Sequence, residues 1–154
     1  MDEQLGIDLA VVPHLVAHDA SQQDLVRRRR PALGILRGPV REAFDLDVIA
    51  GRENLAQALL LRLLTPKGAL TALGHAEYGS RLHELIGRRK TVELRNLCRA
   101  FVLEVVAQEP RVEPQVVELT FDPAAESLSS FIFTLAVKPI AQSDFVSLSL
   151  EVGL

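Results

Sequence analysis

Tryptophan is absent from this sequence, and other aromatic side chains are few. Its 154 residues include one tyrosine, Tyr78, and six phenylalanines. Sugar-binding clefts and single-stranded nucleic-acid grooves commonly stack their ligands on aromatic rings, so this shortage argues against both kinds of site. The net charge of −3 also argues against a general binder of nucleic acid or of a membrane surface.

Cysteine is scarce as well. Cys98 stands alone, which excludes an internal disulfide and fits a reducing compartment. It lies beside the apolar positions of a helix-like stretch, so we interpret it as a buried structural thiol. A catalytic thiol would need an activating neighbour, and His83 is the only candidate close in the sequence.

No signal-peptide pattern and no candidate membrane-spanning run is visible in the sequence. The chain begins Met-Asp-Glu-Gln, without a basic region followed by an apolar stretch, so we expect synthesis without a signal peptide. The most apolar stretch, residues 51–64, contains Arg62 and is too short to span a bilayer. The chain length is typical of one domain with a substantial core.

The most apolar stretch is also the first of two predicted helices. Residues 51–64 are apolar on nearly every side, which predicts a helix that is covered on nearly every side. This helix should end before Thr65-Pro66-Lys67-Gly68, because Pro66 disfavours helical dihedrals at the residue before it and Gly68 permits a turn.

A short segment and a second helix follow. Residues 78–87 place Leu82, Leu85 and Ile86 on one face at helical spacing. The second helix should begin at a Thr91 cap and stop before Pro110.

After Arg111 the apolar pattern changes to the period of two that is typical of strands. Three alternating runs, at residues 116–121, 131–138 and 146–152, are joined by connectors short enough for hairpins. We therefore predict an α+β fold, in which apolar and amphipathic helices cover one face of an antiparallel three-stranded meander. A strand from the N-terminal part is a further candidate member of this sheet.

The last run has no proline, and we expect no covering segment after it. Its alternation places apolar side chains on the core face and Ser147, Ser149 and Glu151 on the outer face. Such a strand has little protection against pairing with another chain if it lies at an edge. A position inside the sheet, between two other strands, is an equal alternative.

The N-terminal part carries few periodic signals. We predict an irregular lead-in at residues 1–38, before a single α+β domain at residues 39–154. Residues 7–13 alternate enough for an edge strand. The run Arg27–Arg30 predicts a solvated loop or the end of a short helix that starts near Ser21, with contact to an acidic partner surface as the alternative.

Four pieces of the sequence, in order, resemble one protein family. They are Gly51-Arg52-Glu53-Asn54-Leu55-Ala56-Gln57-Ala58, Arg62-Leu63-Leu64-Thr65-Pro66-Lys67-Gly68, Leu73-Gly74-His75 through Tyr78-Gly79-Ser80-Arg81-Leu82, and Glu109-Pro110-Arg111. They resemble the lysozyme-like baseplate wedge family of contractile phage tails, with relatives in type VI secretion systems and extracellular injection particles. The third piece is most similar to the injection-particle branch. The shared order carries the resemblance, because each piece alone arises easily by chance.

The resemblance implies a structural protein, not an enzyme. It implies a hexameric set of baseplate subunits around the central tube, made in the bacterial cytoplasm, that links larger wedge proteins to the first sheath ring and acts as a sheath initiator. The central tube or hub proteins are further candidate partners. No cofactor, metal, nucleic acid or membrane insertion is expected.

Two partner-binding surfaces follow from the resemblance. In relatives, the corner Glu109-Pro110-Arg111 engages the helical core of the larger wedge subunits. An intramolecular Glu109–Arg111 ion pair that fixes the corner is the alternative, and both roles can hold together. The second surface is a strand edge to which sheath arms add as strands. Its residues are Phe145, Val146, Ser147, Leu148 and Ser149.

The main alternative is a lysozyme-like glycoside hydrolase that acts on peptidoglycan, and a soluble adaptor of unrelated type is a third hypothesis. Hydrolysis needs two carboxylates beside a cleft, one of them with a raised pKa. We interpret the glutamates of the helical segments as ordinary surface residues. The histidines lack the spacing of metal ligands. The residues concerned are Glu77, Glu84, Glu93, Glu104, His14, His18, His75 and His83.

Overall fold

A computed structural model of the protein describes residues 5–13, 23–25, 27–29, 44–140 and 142–154. The chain forms two compact units, Asp2–Asn54 and Leu55–Leu154. Within the described residues, no helix is both long enough and apolar enough to cross a membrane.

The unit Asp2–Asn54 contains short strands that pair in three antiparallel, two-stranded ladders. The pairs are β1 (Ile7–Leu9) with β6 (Val48–Ala50), β2 (Val11–Pro13) with β3 (Gln23–Leu25), and β4 (Arg27–Arg29) with β5 (Phe44–Leu46). The strand predicted over residues 7–13 is therefore two strands with different partners. Among the described residues, no strand of this unit joins the C-terminal sheet.

The arginine run corrects one prediction. Arg27–Arg29 forms strand β4, with Arg28 opposite Asp45, whereas we predicted a loop or a helix end. Strand β4 forms because it pairs with β5, which lies far away in the sequence. A local charge pattern does not reveal such a pairing. Arg30 lies outside the described residues. The division predicted at residues 38 and 39 stays a prediction, because it also falls outside them.

Helix α1 spans Gly51–Leu64, as predicted. Its most deeply buried side chains are those of Leu55, Leu59 and Leu63, at four-residue steps. The expectation of cover on nearly every side is supported for residues 54–63, which are all buried or half-buried, including Gln57 on the side opposite Leu55. Leu64, at the end of the helix, is 42% exposed.

Helix α1 ends where the proline and glycine signals placed its end. The Thr65 hydroxyl donates a hydrogen bond to the Leu61 carbonyl at 2.7 Å, within the last turn. Pro66 then forms a parallel bridge with Ser80, which ties the end of α1 to the segment after Gly79.

The short segment that follows is one turn of 3₁₀-helix, Leu82–Leu85. Leu82 and Leu85 are buried as predicted, but Ile86 is 68% exposed. The reason is local, because the backbone becomes extended at Ile86 (ψ 132°) and the side chain leaves the helical face.

Helix α2 spans Val92–Ala107, and the Thr91 hydroxyl caps it by accepting a hydrogen bond from the Leu94 amide at 3.1 Å. This confirms the predicted start. Its buried face packs against the 3₁₀ turn and against the first strand of the sheet. The buried residues are Leu94, Cys98, Phe101, Val102, Val105 and Val106.

The C-terminal part is the predicted antiparallel meander. Strands β7 (Val112–Phe121), β8 (Ser130–Pro139) and β9 (Val146–Gly153) lie in the order β7-β8-β9, so β8 is central and β9 is at an edge. The predicted alternation is confirmed, because Phe131, Phe133, Leu135 and Val137 of β8 are fully buried. With α2 against β7, the fold is α+β.

Candidate functional site

The Glu109-Pro110-Arg111 corner joins α2 to β7. The Glu109 amide donates to the Val106 carbonyl at 3.0 Å, which closes the end of the helix. The Val112 amide, at the first residue of β7, donates to the Glu109 carbonyl at 3.2 Å. Pro110 is exposed between them. The corner is therefore held by backbone hydrogen bonds on both of its sides.

Glu109 and Arg111 also form a side-chain ion pair at this corner. Arg111 Nε donates to Glu109 Oε1 at 2.6 Å, and the Arg111 amide reaches the same oxygen at 3.4 Å. The Glu109 side chain is 4% exposed and that of Arg111 is 25% exposed. The intramolecular alternative is thus present in the fold. The partner-binding role of the same residues stays a prediction.

The hydrogen-bonding pattern between β8 and β9 determines which backbone groups of β9 are not bonded to β8. The Leu154 amide donates to the Ser129 carbonyl at 2.7 Å, in the register that places Gly153 opposite Ser130. In an antiparallel pair, every second residue bonds to the neighbouring strand. The even-numbered residues of β9 therefore bond to β8. Odd-numbered residues, Ser147 and Ser149 among them, direct their backbone groups away from the sheet.

The opposite edge of the sheet, along β7, is obstructed. Its register with β8 shifts between Val112 and Val117, and Pro114 lies within the shifted stretch. Arg99 donates to the outward Leu119 carbonyl at 3.0 Å, which occupies one of the edge acceptors. Bulges and prolines are common protections of an edge strand. In the described part of the chain, β9 carries neither, so β9 is the edge of this sheet better suited to receive another strand.

The predicted edge residues lie together along the first half of β9. Val146 is buried, whereas Ser147 and Ser149 are exposed on the outer face, where the Ser149 hydroxyl is 3.0 Å from that of Thr134. Phe145 is 40% exposed just before the strand. The predicted faces are therefore confirmed, and the binding role of these residues stays a prediction.

An apolar groove of about 360 Å³ runs beside the other half of β9. Leu64 at the end of α1 and the exposed Ile86 border it on one side. Leu150 and Val152 border it on the other. The groove was not predicted from the sequence, because it depends on Ile86 turning away from the helical face.

A second pocket, of about 370 Å³, lies between the end of α1 and the end of α2. Its lining residues are Arg62, Gly74, His75, Ala76, Glu77, Tyr78 and Gln108. The Arg62 guanidinium lies 4.7 Å from the centre of the Tyr78 ring. The signals for this pocket in the sequence are an arginine within an apolar helix and the single tyrosine, but their proximity is not visible there.

The candidate catalytic acids are engaged in ion pairs or capping contacts. The Arg81 guanidinium makes two hydrogen bonds, of 2.7 and 2.9 Å, to Glu84 and lowers the pKa of that carboxyl. Hydrogen bonds from its own backbone and from Thr91 lower the pKa of Glu93. Glu77 and Glu104 both pair with Lys67. A general acid in glycoside hydrolysis needs the opposite shift, a raised pKa.

Cys98 lies in the core, as predicted. It is fully buried, and this burial raises the pKa of its thiol to about 12 despite the nearby charge of Arg95. The thiol therefore stays protonated and unreactive near neutral pH. Among the described residues, no group of three or more histidine, cysteine, aspartate or glutamate side chains is placed to hold a metal ion.

Among the described residues, Glu126 is the acid whose pKa is lowered most strongly, and its role was not predicted from the sequence. Its side chain is 1% exposed and accepts two 2.7 Å hydrogen bonds from Arg95, with Lys90 at 2.9 Å. Burial opposes ionisation, but the hydrogen bonds from Arg95 and Lys90 outweigh it and lower the pKa of Glu126 to about 2. Because the carboxylate also accepts the Ile132 amide, this cluster fastens the β7–β8 connection to α2.

Comparisons with known proteins give one structural similarity. No family model matches the chain, and no curated protein matches it. The fold is similar to the crystal structure of a putative tail lysozyme from Geobacter sulfurreducens, with a TM-score of 0.55 and 17% sequence identity. The similarity covers 66% of this chain and 89% of that one. At this identity the comparison shows a shared fold.

Proposed function

We propose that this protein is a structural subunit of a phage-tail-like contractile injection system. In this role it links larger baseplate wedge proteins to the first sheath ring and starts sheath assembly as part of a hexameric set. The observation that carries the proposal is the fold shared with a protein described as a tail lysozyme. The order of the four motif pieces along the chain supports the same role.

The mechanism that we propose is binding at two surfaces. At the corner, the exposed Pro110 and the partly exposed Arg111 contact a wedge protein. At the edge of β9, an extended sheath segment adds as a fourth strand, with backbone hydrogen bonds to the odd-numbered residues. Strand addition takes its affinity from main-chain hydrogen bonds and its specificity from alternate side-chain contacts. The protected edge of β7 supports β9 as the receiving edge.

The test is assembly of the particle with and without this protein. We expect omission to give baseplates or tubes without an attached sheath in electron micrographs, and we expect the purified wild-type chain to restore sheath formation. Particles that form a complete sheath of normal length in its absence would contradict the proposed role.

A lysozyme-like hydrolase is the second candidate, because the protein of similar fold is described as a tail lysozyme. The lowered pKa of Glu84 and the ion pairs of the other acids favour the structural role instead. We expect no release of reducing ends from purified peptidoglycan by the wild-type protein. Turnover that disappears on the substitution Glu84→Gln would favour the hydrolase.

A further inference from the structure

Arg62 lines the second pocket described above, and the proposed assembly role gives this pocket no ligand. The guanidinium stacks over the Tyr78 ring at 4.7 Å, and its Nη1 donates to Gln108 Oε1 at 3.3 Å. Tyr78 and Gln108 come from two separate segments of the chain, and both contact the guanidinium. An arginine held in this way loses less rotational freedom when it binds a ligand.

Most hydrogen-bond donors of Arg62 are still available. A guanidinium carries five N–H groups, and Gln108 is the only acceptor that the described residues provide for them. No fully buried side-chain nitrogen or oxygen in the described part of the chain lacks a partner. The Arg62 nitrogens without a partner are therefore at least partly exposed to solvent. Arg62 lines a pocket whose volume of about 370 Å³ exceeds that of a carboxylate group.

The acids near the pocket are engaged elsewhere. Lys67 Nζ lies 3.0 Å from Glu77 and 2.8 Å from Glu104, so both carboxylates are held by a lysine that does not line the pocket. Glu77 lines the pocket and is 82% exposed. Its negative charge opposes an incoming anion, and it should therefore limit the affinity of the pocket without filling it.

We propose that this pocket, which we call the Arg62 pocket, binds a carboxylate group. The planar fork of the guanidinium matches the two oxygens of a carboxylate and forms paired, charge-assisted hydrogen bonds with it. The source of the carboxylate is either an acidic side chain of a protein partner or a free small carboxylic acid. This inference does not depend on the assembly role, because it rests on the geometry of the pocket alone.

The test is an NMR titration of the full chain that follows the Arg62 side-chain Nε–H signal and the amides of residues 74–78. One arm uses sodium glutarate as a free dicarboxylate, and a second arm uses a capped peptide with a single internal glutamate. Sodium chloride at the same ionic strength is the reference. We expect saturable shifts with at least one carboxylate probe and none with chloride. Saturation by the peptide alone would assign the pocket to a protein partner, and saturation by glutarate would assign it to small acids.

Three variants and a matched control separate binding from fold stability. We expect Arg62→Gln to weaken carboxylate binding by at least about tenfold, and Arg62→Lys to weaken it less, because lysine keeps the charge but not the fork. Glu77→Gln should strengthen binding several-fold. Arg89→Gln removes the same charge from an exposed position outside the pocket and should change nothing.

Two outcomes would overturn the proposal. One is the absence of saturable shifts with every carboxylate probe. The other is equal binding by the wild-type protein and Arg62→Gln. If Arg62→Gln does not fold, the other two variants still test the proposal. Carboxylate affinity should rise in Glu77→Gln and fall in Arg62→Lys. If Arg62 only stabilises the packing of the two helices, substitution of Arg62 should alter thermal stability. In that case Glu77→Gln should leave carboxylate affinity unchanged.

Discussion

Glu126 shows how a single residue can depend on charges far from it in the sequence. It follows a turn whose pattern, Asp122-Pro123-Ala124-Ala125, is typical of a solvated connector. Its main partner, Arg95, is 31 residues away on α2. Local patterns identify helices, strands and turns, but they do not show which charges meet across elements. The sequence therefore predicts the connector and not the buried ion cluster within it.

The first prediction concerns the pH dependence of stability. The pKa of Glu126 falls from 4.5 to about 2 on folding. Its ionised form therefore contributes stability above about pH 4.5, and that contribution is lost as the pH falls towards 2. We expect Glu126→Gln to lower the free energy of unfolding at pH 7 by about 3 kcal/mol, because it weakens a buried ion cluster. The difference from the wild-type protein should shrink as the pH falls from 4.5 to 2.

Urea unfolding at pH 7, 4 and 2.5 provides the measurement. Glu118→Gln is the matched control, because Glu118 is an exposed acid on the neighbouring strand β7. The control should follow the wild-type curve at each pH. A constant difference between Glu126→Gln and the wild-type protein from pH 7 to pH 2.5 would contradict the role given to the carboxylate.

At the scale of elements, Gly79 controls the contact between the end of α1 and the segment after it. Its φ is +109°, and an added Cβ would lie 2.5 Å from the Thr65 carbonyl oxygen. The close approach permits a 2.8 Å hydrogen bond from the Ser80 amide to that oxygen, and a 2.6 Å bond from the Ser80 hydroxyl to Leu63. A side chain at residue 79 would separate these segments.

The second prediction uses a matched pair of glycines. Gly74 also has a positive φ, of +83°, but an added Cβ would meet nothing within 4 Å. We expect Gly74→Ala to cost only the backbone strain, about 1 kcal/mol. Gly79→Ala should cost at least about 3 kcal/mol, because a steric clash with backbone atoms is added to the strain. Thermal and urea unfolding of both variants measure the difference, and equal costs would show that the segments separate easily.

The third prediction concerns the corner between α2 and β7. The carboxylate of Glu109 is buried and Arg111 is partly exposed, so the loss of Arg111 costs stability while the backbone bonds of the corner remain. We expect Arg111→Ala and Glu109→Ala to give folded, soluble protein that does not enter baseplates. Arg111→Lys should also fail to enter, because lysine lacks the planar fork.

Circular dichroism and sedimentation of assembled baseplates test the corner, with Arg89→Ala as an exposed control. Unfolding of either corner variant would mean that the ion pair is mainly structural. Normal assembly of both would remove the corner from the proposed partner surfaces.

At the scale of the whole molecule, the sequence predicted the elements better than their arrangement. Period-two alternation assigned the buried faces of β8 and β9 correctly, because side-chain direction follows from the backbone of a single strand. Alternation does not show which strands are neighbours, so the edge position of β9 required the structure. In the N-terminal part, alternation indicated strand at residues 7–13, which contain β1 and β2. The partner strands β3 to β6 were missed, because three residues are too short to show a period.

The edge position of β9 leads to the fourth prediction. Ser149 directs its amide away from β8, whereas the amide of Leu148 donates to β8. Proline at either position removes one N–H donor. We expect Ser149→Pro to leave the domain folded, because the lost donor serves no bond within the sheet. Leu148→Pro should destabilise the domain, because it removes a bond to the central strand and an apolar side chain from the core face.

The functional part of this prediction compares folded variants of the same residue. Ser149→Thr keeps the amide and the outward hydroxyl, so it should nucleate sheath as the wild-type protein does. Ser149→Pro removes one main-chain hydrogen bond to an added strand and hinders its close approach along β9. We therefore expect baseplates that contain Ser149→Pro but carry few or no sheaths in electron micrographs. Full-length sheaths on baseplates with a folded Ser149→Pro subunit would show that sheath segments do not add at this edge.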